Sequence, residues 1–132
     1  MDQKLSSLDI QARIFWSSSS IPPKKSTFKP GGTALVIFGS IADRIKDHGY
    51  DPLGRWCWVN LQGKDNKEIL IINIYQCCTR PTNEFGCTAF HQQQIQLSSM
   101  NRPNTNPRKN FYSDLRLFLQ NNQNREVLIM GD

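Results

Sequence analysis

The sequence predicts a mixed α/β layered fold, and three observations carry that prediction. Short apolar runs with strand-type alternation fill the first part of the chain. Two segments with helix signals follow, and a further apolar run comes after them, giving strands, then helices, then a strand. Clusters of Gly, Pro, Asn and Asp punctuate the runs where turns are needed.

The elements are justified in order. Ile10, Ala12, Ile14 and Trp16 alternate as in a strand, and Ser17–Ser20 with Ile21-Pro22-Pro23 separates it from the rest. Thr33–Phe38 is an apolar run between Gly31-Gly32 and Gly39, which predicts a buried strand. Trp56–Leu61 is another, opened by the Asp51-Pro52-Leu53-Gly54 turn and closed by Gln62-Gly63-Lys64. In Glu68–Tyr75, residues Ile69, Ile71, Asn73 and Tyr75 share one face and Leu70, Ile72 and Ile74 the other. A strand apolar on both faces belongs in the middle of its sheet. The Gly63–Lys67 turn, with Asp65-Asn66 at its tip, predicts an antiparallel hairpin joining these last two strands.

Thr88 to about Met100 reads as a Gln-rich helix with a thin stripe of Phe90 and Leu97. The second helix is capped by Asn106 with Pro107 at its first position, and its stripe is Phe111, Leu115, Phe118 and Leu119 before Asn121-Asn122. Val127–Met130 then reads as a buried strand leading to Gly131-Asp132. Such a strand needs neighbours on both sides, so the order suggests a layered fold that has been cut off.

With 132 residues the chain has room for one domain. At 38 % hydrophobic and 20 % charged residues it is neither a membrane protein nor a charge-rich disordered tail. The first residues lack a basic start followed by an apolar stretch, which speaks against secretion and for an intracellular, reducing setting. There, Cys57, Cys77, Cys78 and Cys87 read as free thiols. Zinc is the sharper alternative, but no C-x-x-C pair exists and the adjacent Cys77 and Cys78 would face opposite sides of a strand.

A net charge of +5 favours polyanionic partners. It gathers in two short basic segments, Lys24 and Lys25 with Lys29, and Arg102 with Arg108 and Lys109, which also suit solvated loops. Asp132 stands just past a strand tip, where active-site acids often sit, although Gly-Asp is also an ordinary turn pair. Tyr75, at the tip of the central strand, could donate to a phosphate oxygen or be a half-buried edge aromatic. Asn73 requires a partner for its amide. His91, expected on a polar helix face, and His48, expected in a loop, lack companions at metal spacing. No phosphate loop and no nucleophile elbow is present.

Five segments form a recognisable series: Lys29-Pro30-Gly31-Gly32-Thr33, Asp51-Pro52-Leu53-Gly54-Arg55-Trp56, Leu61-Gln62-Gly63-Lys64, Ile71-Ile72-Asn73-Ile74-Tyr75 and Leu128-Ile129-Met130-Gly131-Asp132. In order and spacing the series resembles the endonuclease/exonuclease/phosphatase superfamily, the deoxyribonuclease-I-like fold, in the form carried by retroelements beside reverse transcriptases. The similarity covers roughly Ser17 to Asp132. It implies a four-layer α/β sandwich of two facing mixed sheets, with residues 1–132 forming a partial, incomplete domain. It also implies a divalent cation, usually magnesium, and phosphodiester hydrolysis by in-line attack of water. Asp132 matches the first residue of the family's Gly-Asp-x-Asn motif, which orients or deprotonates that water, and Tyr75 matches a tyrosine near the scissile phosphate.

The departures are as informative. The family's metal-binding Glu, in a Gln-Glu motif near the N-terminus, has no counterpart. The Asn after the Gly-Asp pair and a later Ser-Asp-His motif would lie beyond Asp132, and neither His48 nor His91 inherits the histidine's role. The expectation is a fragment of a metal-dependent nuclease, truncated at both ends, without turnover of its own and prone to self-association. Its partners would be a DNA or RNA backbone and a reverse transcriptase in a longer parent polyprotein, in the cytoplasm or nucleus and away from membranes. One alternative is a noncatalytic nucleic-acid-binding remnant using Lys24, Lys25, Arg102, Arg108 and Lys109. Another is a phosphoinositide or nucleotide phosphatase-type domain.

Overall fold

Side chains of a strand point alternately to opposite faces, so the strand sequences decide which layers can form around them. The computed structural model describes residues 11–20, 30–79 and 88–132. Lys24, Lys25, Lys29 and Cys87, singled out above, lie outside the described residues.

The described elements are β1 (Ala12–Ser17), β2 (Thr33–Phe38), a 3-10 helix (Gly39–Arg44), β3 (Ile45–Tyr50), β4 (Trp56–Gln62), β5 (Glu68–Ile74), α1 (Ala89–Ser99), α2 (Pro107–Gln120) and β6 (Glu126–Gly131). The fold is mixed α/β with two sheets. β1 and β2 form an antiparallel pair. The larger sheet has the order β3-β4-β5-β6 and is itself mixed, antiparallel up to β5 and parallel between β5 and β6.

The expected hairpin joins β4 to β5, with Trp56 opposite Ile74 and Gln62 opposite Glu68. Its turn places Asp65 and Asn66 at φ of 55° and 59°, a left-handed conformation that Asp and Asn tolerate better than bulkier residues. β5 is interior to its sheet, as its two apolar faces require. On one face Trp56, Leu70 and Ile72 pack against Phe111 and Leu115 of α2. On the other, Cys57 and Val59 meet Leu35 of β2, with Phe15, Ile37 and Ile71 around them. The large sheet is thus a middle layer between α2 and the small sheet.

α2 starts where its cap predicts. The Asn106 side chain accepts from the N–H groups of Arg108 and Lys109, and Pro107 follows it. α1 is capped by Thr88, whose hydroxyl accepts from the His91 N–H, but it buries a polar set. His91, Gln92, Gln93 and Gln96 are buried beside Leu97, so His91 is not on a solvated face. Gln96 explains part of this by donating to Ser20 Oγ at 3.0 Å and to the Pro52 carbonyl at 3.3 Å.

Three further expectations change. His48 lies in strand β3 and not in a loop. β2 is only partly covered, with Leu35 its one buried residue, because the small sheet has a layer on one side alone among the described residues. β6 is exposed at all six positions, since it forms the sheet's edge.

Buried charge pins the β3–β4 turn to α2. Arg55 bonds both carboxylate oxygens of Asp51, at 2.7 and 2.8 Å, and reaches Asp114 of α2 at 3.0 Å. Its guanidinium also lies 4.6 Å from the Trp56 ring. Asp114 is shared with Arg102.

Candidate functional site

Parallel pairing of β5 with β6 brings together two residues that are far apart in sequence. The ladder continues one step past Ile74 and Gly131. The Asp132 N–H donates to the Ile74 carbonyl at 3.3 Å, and the Asp132 carbonyl accepts from the Gln76 N–H at 2.7 Å. This is the parallel hydrogen-bond pattern around a Tyr75–Asp132 pair, so both residues stand side by side at the C-terminal tips of their strands. They fall on the face shared with Asn73 and Ile71, the face turned to the small sheet.

Gly131 makes that step possible. Its φ is +123°, and a Cβ there would sit 2.0 Å from the Ile74 carbonyl oxygen. Any side chain at 131 would force the strands apart and move the acid. Glycine before the aspartate is therefore a packing requirement of the strand tip.

Across from Tyr75, Gly31 closes the wall. A Cβ on Gly31 would lie 2.9 Å from Tyr75 Cε1 and 2.9 Å from Ala89 Cβ, so the glycine segment, the phenol ring and the start of α1 pack directly together. Asn73 finds its partners across the sheets, donating from Nδ2 to Thr33 Oγ1 at 2.5 Å and to the Ala34 carbonyl at 2.8 Å. The Tyr75 N–H donates to the Arg55 carbonyl at 2.7 Å, which ties the tip to the buried ion-pair network. Burial pushes the Tyr75 phenol above its ordinary pKa, and charge on Cys78, Cys77 and Asp132 adds to the shift. The phenol is thus held protonated, as a donor.

The basic residues divide. Arg108 is at this site, with Nη1 donating to the Cys77 carbonyl at 2.9 Å and the guanidinium half-buried beside the β5 tip. Arg102 is committed to Asp114 and Asn110. Lys109 is exposed on the first turn of α2. Cys57 and Cys77 are buried free thiols and Cys78 is an exposed one. The roles of Gly31 and of Arg108 against Cys77 were beyond sequence reasoning, because both depend on how loops and helix ends meet the sheet.

No three His, Cys, Asp or Glu residues converge as a metal shell among the described residues. Asp132 is the carboxylate at the strand tips, while Asp51 and Asp114 nearby are paired with Arg55 and Arg102. One carboxylate and a phenol do not by themselves fit a resident magnesium ion, which takes protein carboxylates together with substrate phosphates. Among the described residues no helix is long and apolar enough to cross a membrane. Compared with models of protein families, with curated proteins and with solved structures, the chain matches none.

Proposed function

We propose that this chain carries part of the phosphodiester-handling centre of a nucleic-acid hydrolase of the endonuclease/exonuclease/phosphatase type, within a partial four-layer sandwich. The observation that carries the reading is the in-register pairing of Tyr75 with Asp132 at adjacent strand tips. A protonated phenol donates to a phosphate oxygen, a carboxylate beside it orients a water, and Arg108 adds positive charge at Cys77, two residues past the phenol. The net charge of +5 supports a polyanionic partner. A role confined to basic surface binding draws less support, because the charge of Arg102 is paired with Asp114.

With one carboxylate at the tips and no histidine beside it among the described residues, the chain is expected to bind nucleic acid without cleaving it. Loss of one member of a catalytic set costs about 10³–10⁶ in rate. Supercoiled plasmid in magnesium should stay intact beyond background, and nicking that disappears in Asp132→Asn would overturn that expectation.

Binding tests the site itself. Without divalent cations the Asp132 carboxylate repels a phosphate seated at Tyr75. Asp132→Asn should then tighten duplex DNA binding about two- to tenfold, while Arg108→Ala weakens it. Identical affinities for wild type and Asp132→Asn, with and without magnesium, would remove the acid from the phosphate site and sink the reading.

A further inference from the structure

A second cleft runs along β1, away from the strand tips. Among the described residues β1 pairs only with β2 and β3 only with β4, so each strand has one edge without a partner there. Between them lies an open cleft of about 630 Å³ lined by Arg13, Phe15, Trp16, His48 and Tyr50, with the Ser18–Ser20 segment at one end. That volume is within the range of roughly 300–1,000 Å³ typical of ligand sites.

The chemistry of the lining is specific. Arg13 lies 5.4 Å from the centroid of the Phe15 ring, and Phe15 in turn lies 4.7 Å from the His48 ring. Cation, phenyl and imidazole thus form one continuous wall. Trp16, which shares the outer face of β1 with Ile14, and Tyr50 are 53 % and 66 % exposed, so their rings are largely uncovered at the rim of the cleft. Among the described residues Arg13 makes no ion pair and no carboxylate lines the cleft. Uncovered aromatic faces beside an uncompensated cation, with hydroxyls at one end, match a base that stacks and a backbone phosphate that needs charge.

One end of the cleft packs on the glycine segment that also borders the strand tips. Its serine end abuts Gly32, whose Cβ position is 2.8 Å from the Ser17 carbonyl, and the neighbouring Gly31 packs on the Tyr75 ring. The Gly31-Gly32 segment thus touches both the serine end of the cleft and the Tyr75 ring.

We infer that this cleft binds an unpaired segment of nucleic acid, with bases stacked on Trp16 and Tyr50 and a phosphate on Arg13. The inference deepens the reading given under Proposed function, by naming single-stranded or locally opened nucleic acid as the form recognised. Duplex DNA keeps its bases stacked on each other, so its flat ring faces are closed to these side chains.

The test is fluorescence anisotropy on the whole chain, with a labelled oligo-dT of about 15 nucleotides and a duplex of similar length. Oligo-dT is expected to bind at least several-fold tighter than the duplex. Trp16→Ala and Tyr50→Ala should each weaken oligo-dT binding about 5- to 100-fold, with little effect on the duplex, and Trp16→Phe should restore most of it. Arg13→Ala should reduce the slope of log affinity against log salt by about 0.7. Both aromatic side chains are more than half exposed, so the variants should fold, which circular dichroism and thermal melts check. Equal affinity for the two forms, or oligo-dT binding unmoved by both alanine variants, overturns the inference while leaving the Tyr75–Asp132 reading intact. Failure of both nucleic acids to bind at low salt overturns the two together.

Discussion

β5 and β6 lie side by side, run parallel and have similar compositions, Glu-Ile-Leu-Ile-Ile-Asn-Ile against Glu-Val-Leu-Ile-Met-Gly. Their surroundings differ most at the middle of each strand. Leu70 and Ile72 of β5 have no exposure, whereas Val127, Leu128, Ile129 and Met130 of β6 are all 40 % exposed or more. An apolar run specifies the environment a strand suits. Its place in the sheet decides whether neighbouring elements supply that environment.

The largest expected effect separates the two strands by stability. Ile72→Ala should cost about 2–5 kcal/mol in denaturant unfolding, through lost burial and a residual cavity. Leu128→Ala should stay within about 0.5 kcal/mol, as for an exposed site. Equal losses would mean that β6 is covered in solution and would break the contrast.

Self-association follows from the same exposure. Among the described residues the outer edge of β6 is unpaired, with Val127–Met130 uncharged along it, and the outer face of the small sheet adds Ile14, Val36 and Phe38 to the uncovered apolar surface. Sedimentation should show concentration-dependent association that Leu128→Lys weakens by about tenfold, or ~1.4 kcal/mol. A monodisperse wild-type monomer at high concentration would show that neither surface seeks a partner.

The smallest effect concerns the charged ends of the two strands. Glu68, at the start of β5, is hydrogen-bonded by Lys46 of β3 and by Asn60 of β4 at 2.6 Å, and Arg125, just before β6, lies 2.9 Å away as an ion pair. The Lys46 bond, then that of Asn60, holds its carboxyl down at a pKa of about 2. A lowered carboxylate pKa means a contribution that is complete above the ordinary range near 4.5 and is lost as pH falls toward about 2. Melting temperature should therefore drop through this window in the wild type, and less steeply in Glu68→Gln.

Much of the large sheet was legible because local signals and tertiary context agree there. The β4–β5 hairpin has its turn residues, β5 has two apolar faces, and α2 has a cap and a stripe. β3 was missed because Lys46, Asp47, His48 and Gly49 carry no strand pattern. Pairing with β4 creates the strand, and Gly49 sits where the Trp58 ring leaves no room for a Cβ. α1 misled for a related reason. Its buried glutamines are satisfied in part by Ser20 and Pro52, residues far away in sequence. At the candidate site, Asp132 and Tyr75 could be named from the chain, but their adjacency could not. It arises from a parallel crossover through two helices, which periodicity does not encode. The Arg13–Phe15–His48 wall likewise needs β1 and β3 to meet edge to edge.

Gly131 leaves the tip of β6 with a single adjustable part. The platform beneath the carboxylate admits no substitution, since the main chain of Ile74 occupies the space a methyl group would take. Randomised libraries over 131 and 132 should thus return invariant glycine at the first position and variety only at the second. New reactivity can be grafted here by exchanging the terminal functional group, while the perch that holds it stays fixed.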